Sequence, residues 1–369
     1  MTPPARVLVR KVADLNADVN EALDFLEYDF AGKRVWVKPN LLGPHPPEHG
    51  VTTDPDLIRN VVRELKRRGA ATIWVADNPG GGLQRNVETY IAPTGVVEAS
   101  EGCFRSISET PVTIPTKSRF VSDFRVSRII TEVDVILNLP VFKTHALTIL
   151  TGAIKNLFGI IPGGQKSYLH TLGKSTDDFS EILVDIYQVV PVPVLTIMDA
   201  LRGMDGQNGP SGGRVLGIGK ILTASNPVAL DVVMAGMVGA EPRRIPTTRI
   251  AGERGLGPAD LSSVKIVGDY EPVAGFRLPS YRLARSFTGI ATAVVYPLMR
   301  RWPILDRQLC IKCGRCADNC PAVAIDMSPF PAVGRDKCIM CYCCAELCPV
   351  KAMTVPSLFR GVIQNLTGR

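Results

Sequence analysis

Two runs of cysteine near the end of the chain are the residues whose type and spacing most directly indicate chemistry. The first run extends from Cys310 to Cys320, and the second extends from Cys338 to Cys348. Both have the spacing C-x2-C-x2-C-x3-C-P, which places thiolates to bind iron–sulfur clusters. In this arrangement, the fourth cysteine of each run binds the cluster of the other run. The spacing therefore predicts two 4Fe–4S clusters with two ligand sets: Cys310, Cys313, Cys316 and Cys348 for one, and Cys338, Cys341, Cys344 and Cys320 for the other.

A zinc site and a set of disulfides are the alternatives for this many cysteines. Zinc sites typically use paired C-x2-C units, whereas this chain has two matched runs of four cysteines, each followed by proline. Disulfides are typical of secreted proteins, and we expect no signal peptide here. Cys343 is surplus to the pattern and is expected to be a packed or hydrogen-bonding thiol, and Cys103 is expected to be a small buried residue.

The composition indicates a folded protein that contains more than a ferredoxin. The chain has 369 residues, of which 46% are hydrophobic and 21% are charged, so about two or three domains are expected. The net charge is +7, and arginines are concentrated in residues 277–307. That segment is either a docking face for an acidic electron donor such as a ferredoxin or flavodoxin, a contact with an anionic membrane surface, or a solvated linker.

The expected location is a reducing cytoplasm. No apolar run reaches the roughly 18 residues that a membrane span needs, so no transmembrane segment is expected, and peripheral membrane contact stays open. Eight of the ten cysteines are assigned to clusters, which favours a reducing compartment and an anaerobic metabolism. Nucleic acid is not expected as a partner.

The first quarter of the chain alternates predicted strands and helices. Asp18 is expected to cap the first helix, and Asp54-Pro55 is expected to begin the second helix, which ends near Gly69. Strands are predicted at 6–12, 33–38, 71–76, 133–138, 192–198 and 217–223, and further helices at 148–157, 179–189 and 227–238.

This order predicts an α/β fold, with a mostly parallel, Rossmann-like sheet flanked by helices, followed by a small α+β ferredoxin domain. A linker is predicted between the two domains, at residues 276–304, and it has few of the Gly and Ser residues of a flexible tether. We therefore expect it to bury Ile290, Val294 and Val295 in a fixed interface, with one cluster near the glycine-dense loop after Asp199. The predicted boundaries are 1–275 for the α/β domain, 276–304 for a helical linker, 305–355 for the ferredoxin domain and 356–369 for a tail.

Polar residues follow several predicted strands at their carboxyl ends, where ligands collect in a parallel sheet. Lys143, His145 and Lys155 lie close together in sequence, and such residues can bind an anionic small-molecule substrate and donate protons. The alternative is surface charge, with His145 in a structural role. No GxGxxG or Walker motif is present, so standard nucleotide binding is not predicted. The predicted catalytic residues are Lys143, His145, Lys155 and Asp199, and the predicted substrate- or cofactor-binding residues are Lys38, Asn40, Asp77, Asn156, His170 and Gly206.

Four segments carry a resemblance to a known family. They are Lys38-Pro-Asn-Leu-Leu42, Asn138-Leu-Pro-Val-Phe-Lys-Thr-His145, Thr151-Gly-Ala-Ile-Lys-Asn-Leu-Phe-Gly159 and Asp199-Ala-Leu-Arg-Gly-Met-Asp-Gly206. They resemble the family called domain of unknown function 362, many members of which carry a C-terminal two-cluster ferredoxin. The resemblance implies an iron–sulfur protein of anaerobic metabolism, but it implies no particular reaction.

Two functional hypotheses follow. In the first, the chain is an oxidoreductase that passes low-potential electrons to an organic substrate or cofactor at the carboxyl edge of the sheet. In the second, it is a non-enzymatic electron-transfer subunit or assembly factor whose α/β domain docks a protein partner. An enzyme should bring Lys143, His145, Lys155 and Asp199 to one enclosed pocket, whereas a docking module could scatter them. No flavin or other organic cofactor is assigned by the sequence.

The cysteine spacing makes a prediction about metal content. Anaerobically prepared protein should contain about eight iron and eight sulfide ions per chain, because each cubane cluster has about four of each. Chemical iron and sulfide analysis measures this directly. Cys343→Ser should leave both counts unchanged. A count near four, zinc in place of iron, or a cluster lost with Cys343 would contradict the ligand assignment.

Overall fold

The chain forms a nine-stranded sheet covered by helices and a smaller unit with two short ribbons. The structure is a computed structural model that describes residues 4–80, 86–107, 111–173, 175–279 and 300–367. The strands are β1 Ala5–Lys11, β2 Arg34–Pro39, β3 Thr72–Val75, β4 Val112–Pro115, β5 Asp123–Val126, β6 Val135–Leu139, β7 Val141–His145, β8 Ile149–Leu150, β9 Val194–Asp205, β10 Arg214–Ala224, β11 Val264–Gly268, β12 Ile304–Leu305, β13 Ile325–Met327, β14 Pro331–Val333 and β15 Met353–Thr354. The α-helices are α1 Leu15–Phe25, α2 Pro55–Arg67, α3 Val87–Ile91, α4 Val96–Ala99, α5 Gly152–Asn156, α6 Gly164–Leu172, α7 Thr176–Gln188, α8 Pro227–Met237, α9 Pro246–Glu253, α10 Arg315–Asp318, α11 Cys343–Glu346 and α12 Leu358–Thr367.

The large sheet is mostly parallel, as the sequence predicts. Its strand order is β11-β1-β10-β9-β6-β2-β3, and β7 extends it by pairing with β9 and β8. Only β10 and β8 run against the common direction, because β10 is antiparallel to both β1 and β9 and β8 is antiparallel to β7. The carboxyl ends of β2, β3 and β6 therefore meet at one edge. This edge carries most of the polar residues singled out by the sequence.

Alternating side chains of the strands divide the core between the two faces of the sheet. In β2, Val35 and Val37 pack with α1 and α2 on one face, whereas Trp36 packs against apolar residues of α5 and α7 on the other. Alternation of this kind is what a strand covered on both sides requires. The sheet is thereby fixed between two helical layers, and its carboxyl edge is a rigid support.

Two local predictions are corrected by hydrogen bonding. Asp14, not Asp18, caps α1 by accepting the backbone N–H groups of Asn16 and Ala17. Asp18 lies inside the first turn and is buried, and its carboxylate accepts the N–H groups of residues 13 and 14. The helix predicted at 148–157 is shorter, because Ile149 has a φ of 70° and belongs to β8.

The two cysteine runs of the smaller unit have the same local backbone structure. The ribbons β12–β15 and β13–β14 enclose the short helices α10 and α11. Positive φ angles recur at matched positions of the two runs, at Lys312 and Met340, Gly314 and Tyr342, and Val323 and Lys351. The matched turns indicate that both runs wrap their cysteines in the same way, and we call this part the ferredoxin unit.

Direct contacts hold the ferredoxin unit against the loop that follows β9. The Ser211 hydroxyl donates to the carbonyl of Glu346 over 2.8 Å, and the N–H of Val355 donates to Asn208 Oδ1 over 2.8 Å. The Lys351 ammonium donates to the carbonyl of Ser211. Glu346 lies between Cys344 and Cys348, so one end of each cysteine set is close to this loop.

Part of the predicted linker cannot be compared with the structure. Ile290, Val294 and Val295 lie outside the described residues. The described arginines of residues 277–307 differ in exposure, because Arg301 is buried, whereas Arg277 and Arg307 are exposed. Across the ranges the structure covers, no helix has the length and apolar character needed to cross a bilayer.

Candidate functional site: a cavity between the sheet edge and the cysteine runs

The eight matched cysteines surround two small cavities. Cys310, Cys313, Cys316 and Cys348 line one, and Cys320, Cys338, Cys341 and Cys344 line the other. These groups have the same members as the two predicted ligand sets. Backbone N–H groups donate to two of the sulfurs, from Ala324 to Cys320 over 3.2 Å and from Ala352 to Cys348 over 3.1 Å. Such bonds favour thiolate ligands, so the residues present fit two clusters.

The two cysteine sets differ in their surroundings. Cys313 of the first set is exposed. In the second set, Cys341 and Cys344 are next to Cys343, whose thiol is hydrogen-bonded to Cys341 and lines a further cavity at the junction with the α/β unit. The first set therefore has an exposed member, whereas the second adjoins a residue of the cavity at the sheet edge.

The cavity at this junction, which we call the junction cavity, has a volume of about 120 Å³. Its walls come from both units of the chain. The α/β unit contributes the polar residues Asn40, Asp77, Asn78, Lys155, Asn156, Lys166, Ser167 and His170, and the ferredoxin unit contributes Asn319, Cys343, Glu346 and Leu347.

Lys155 is the residue of this cavity whose charge is least satisfied by the protein. Among the described residues, no hydrogen bond or ion pair holds its ammonium group. Burial lowers its pKa, and the carboxylate of Glu346 opposes that shift. Lys155 lies on α5, whose first N–H groups, those of Ala153 and Ile154, donate to the buried carboxylate of Asp231. A cation on a short, firmly anchored helix thus faces the cavity.

Three asparagines form a continuous network beneath Lys155. Asn156 Nδ2 donates to Asn138 Oδ1 over 2.8 Å, and Asn40 Nδ2 donates to Asn156 Oδ1 over 2.9 Å. Lys143 Nζ donates to Asn40 Oδ1 over 2.5 Å and to the carbonyl of Val51. Burial, and then the charge of Lys155, lower the pKa of Lys143 to about 7. Lys143 therefore orients Asn40, which lines the cavity, without lining the cavity itself.

A third lysine, Lys38, forms an ion pair at the end of β2. Lys38 is fully buried, and its Nζ lies 2.8 Å from Asp77 Oδ1. Asp77 Oδ2 also accepts the N–H of Leu41 over 2.8 Å. A buried ion pair costs least when its remaining atoms are hydrogen-bonded in this way. This pair connects the ends of β2 and β3 and presents Asp77 to the cavity.

His145 joins the two units through Glu346. Its Nδ1 accepts the N–H groups of Leu147 over 3.0 Å and Thr148 over 3.2 Å, so the ring hydrogen must reside on Nε2. Nε2 lies 3.0 Å from Glu346 Oε1. Burial lowers the pKa of His145 to about 4. Although burial alone would raise it, the pKa of Glu346 is lowered to about 2 by His145 and then Lys155. The pair is therefore a neutral imidazole facing a carboxylate.

The far wall of the cavity is formed by α6. Lys166 Nζ donates to the carbonyl of Asn78 over 2.9 Å, and burial lowers its pKa to about 8. His170 stacks on Phe179 and meets Phe158 edge-on. Burial lowers the pKa of His170 to about 3. Lys166 is thus the second cation of the cavity, and His170 is a neutral wall residue.

The structure separates the ten predicted site residues into two groups. Asn40, Asp77, Lys155, Asn156 and His170 line the junction cavity. Lys38, Lys143, His145, Asp199 and Gly206 do not, which corrects the prediction that Lys143, His145 and Asp199 line the same pocket as Lys155.

Internal contacts explain why these residues lie outside the cavity. Asp199 accepts the N–H groups of Asp54 and Leu201, so it anchors the start of α2 rather than a ligand. Burial raises its pKa to about 7. Gly206 accepts a hydrogen bond from the Thr144 hydroxyl and belongs to the loop that holds the ferredoxin unit.

Sequence reasoning missed Lys166, Glu346, Cys343 and Asn319 as wall residues. Glu346 occupies the same position in the second cysteine run as Asp318 in the first, so an acid there carried no distinguishing signal. Lys166 follows a glycine pair, Gly163-Gly164, that begins α6. That glycine pair was the available signal for a helix start facing a ligand.

Two family models match the two units of the chain. Residues 35–236 match the family described as domain of unknown function (DUF362), and residues 303–349 match the family described as 4Fe-4S dicluster domain. A protein of Synechocystis named thylakoid-associated protein sll1697 is 30% identical over 234 residues, which are 62% of this chain and 70% of that protein. A crystal structure of a Thermotoga maritima protein aligns with a TM-score of 0.35 and 13% identity, covering 58% of this chain and 55% of that one.

The anchoring of α5 makes a prediction about stability. Asp231→Ala should lower the free energy of unfolding by about 2–4 kcal/mol, because two buried N–H groups lose their acceptor. Anaerobic urea unfolding measures the change. Asp260→Ala is the control, since Asp260 forms a solvent-exposed ion pair with Arg243, and exposed pairs contribute little to stability. Equal losses in the two variants would contradict the role given to Asp231.

Proposed function

This chain belongs to the family of domain of unknown function 362 and carries a 4Fe–4S dicluster domain, and from that premise we propose that it is an iron–sulfur oxidoreductase. Its electrons would pass to a small anionic substrate in the junction cavity. Of the four predicted catalytic residues only Lys155 lines this cavity, so the proposal rests instead on the composition of the cavity wall. Cys343 and Glu346 come from within the second cysteine run, and Lys155 comes from the sheet edge.

Charge in the junction cavity supports an anionic substrate. Lys155 and Lys166 are its two unneutralised cations, since Lys38 is paired with Asp77. Glu346 is the opposing carboxylate, and it faces His145. An anion between the two lysines would gain charge-assisted hydrogen bonds of 1.5–3 kcal/mol each, as a rough magnitude. Asn40 and Asn156 also line the cavity and would fix the orientation of the anion.

The reaction class that suits this arrangement is the two-electron reduction of a C=C or C=O bond beside the anionic group. The clusters, when bound, would supply one electron each, and an external one-electron donor protein would replace them. Two protons must then reach the substrate. The lowered pKa of Lys166, about 8, suits a group that gives up a proton near neutral pH. The contact of His145 with the ionised carboxylate of Glu346 holds the two units together.

Electrons would enter at the other end of the ferredoxin unit. Cys313 is exposed there, and Leu309 and Ile311 next to it are 52% and 61% exposed. Arg307 and Lys312 flank the ring of Phe330 on the same unit. An apolar patch bounded by cations is complementary to an acidic donor of the ferredoxin or flavodoxin type.

The role of Lys155 is tested by reoxidation of reduced protein. Chemically reduced protein would be mixed anaerobically with acrylate, crotonate, glyoxylate and pyruvate, and also with any small molecule that co-purifies. At least one should restore the oxidised visible spectrum. Lys155→Met should slow that reaction by about ten- to a hundredfold, because one charge-assisted contact is lost, while iron content stays constant.

Lys265→Met is the matched control, since Lys265 is an exposed lysine of β11. It should react at the native rate. If neither the acids nor the co-purified material reoxidises the native protein, the non-enzymatic alternative, in which the α/β unit docks a protein partner, replaces this proposal.

The entry route predicts a salt dependence. Reduction by a reduced bacterial ferredoxin should slow as ionic strength rises, because salt screens exposed charges. The double variant Arg307→Glu, Lys312→Glu should be about tenfold slower at low salt and should lose most of the salt dependence. Stopped-flow absorbance measures both effects. Lys265→Glu should behave as the native protein, and an equal effect of this control would remove the docking role of Arg307 and Lys312.

A further inference from the structure

A larger cavity opens beside the junction cavity and has no part in the function proposed above. It has a volume of about 780 Å³ and lies wholly within the α/β unit. We call it the outer groove. Its lining includes Val87, Ile107, Phe120, Arg125, Gln165 and Tyr168.

The outer groove adjoins the junction cavity directly. Asp77, Asn78, Pro79 and Gly163 line both spaces. The ferredoxin unit contributes walls to the junction cavity but none of the described walls of the outer groove. The two spaces are therefore neighbours that share part of their walls.

The two volumes divide a ligand into a small end and a large body. The junction cavity has a volume of about 120 Å³, whereas the outer groove has about 780 Å³. The outer groove lies within the range of roughly 300–1,000 Å³ of sites for larger organic ligands. A carboxylate and its attached carbon fit the small end.

The lining of the outer groove indicates the chemistry of the body. Phe120 contributes an aromatic side chain to the lining, and Tyr168 is 52% exposed. An exposed aromatic ring beside a concave apolar wall favours stacking with a flat ring. Arg125 and Gln165 lie at the polar side, where Gln165 Oε1 accepts the N–H of Arg125 over 2.7 Å. The groove is thus amphipathic rather than uniformly polar.

We propose that the ligand of this protein is a carboxylic acid with a large aromatic body, whose carboxylate lies beside Lys155 in the junction cavity and whose body lies in the outer groove. This inference rests on the proposed function for the anionic end and extends it by assigning the groove. The N-terminal end of α6, at Gly163-Gly164, adds a partial positive charge between the two spaces.

One glycine allows the groove to be filled without touching the cavity. A Cβ at Gly164 would meet no atom within 4 Å, and Gly164 lines the outer groove but not the junction cavity. Gly164→Phe should therefore occupy the groove without a clash. Gly217 has equally open space and lies in β10, so Gly217→Phe is the matched control.

The test is anaerobic calorimetry of the cluster-loaded protein with two probes, acetate and 2-naphthoate. Native protein should bind 2-naphthoate at least about tenfold more tightly than acetate. Gly164→Phe should weaken 2-naphthoate by about tenfold or more and change acetate by less than about twofold. Tyr168→Ala, a substitution at an exposed ring, should weaken 2-naphthoate by about two- to tenfold. Gly217→Phe should match the native protein with both probes.

The outcomes separate this inference from the function on which it rests. Lys155→Met should weaken both probes, because both carry the carboxylate. If Lys155→Met weakens both but Gly164→Phe and Tyr168→Ala affect neither, the outer groove is not the subsite and the inference is overturned while the anion site stands. If Lys155→Met affects neither probe, the anion site itself is overturned, and the inference falls with it.

Discussion

Burial of positive charge at the carboxyl edge of the sheet is the constraint on which the rest of this structure depends. Lys38, Lys143 and Lys155 come from three different elements and meet within one polar region. Removing an ammonium group from water costs several kcal/mol, as a rough magnitude, unless a partner replaces the lost solvation. Asp77 neutralises Lys38, and Asn40 with a backbone carbonyl solvates Lys143. Of these three lysines, Lys155 alone has no hydrogen bond or ion pair to its ammonium within the part of the chain that the structure describes.

Attachment of the ferredoxin unit is part of the same electrostatic arrangement. Glu346 uses its backbone carbonyl to accept from Ser211 and its side chain to face His145. Its ionised carboxylate is also the nearest negative charge that the second cysteine run offers to Lys155. Removing the ferredoxin unit would expose an uncompensated lysine and open the cavity wall. The joining of the two units and the electrostatics of the site are consequently one property.

The sequence predicted those strands and helices whose formation depends on a few neighbouring residues. Short β-branched runs and the Asp54-Pro55 helix start predict β2, β3 and α2 closely, because strand propensity and capping act over a few residues. The family matches agree with the resemblance in the α/β segments and with the cysteine spacing. The cap of α1 was assigned to Asp18, four residues after the actual cap, Asp14. Both aspartates lie near the start of the helix, and only the backbone geometry shows which of them caps it.

The site itself exceeded what the sequence could decide. A polar residue at a strand end can satisfy the backbone or a ligand, and its type does not distinguish the two: Asp199 serves the N–H of Asp54, whereas Asp77 reaches the cavity. Lys166 and Glu346 line one cavity only because contacts join distant segments of the chain.

The ferredoxin unit also has an asymmetry that the cysteine spacing does not predict. Its two cysteine sets have equivalent spacing, yet one exposes Cys313 and the other adjoins Cys343 at the cavity. Spacing makes the sets equivalent, and their surroundings make them different, because Cys343, beside Cys344 of the second set, lines the same cavity as Lys155.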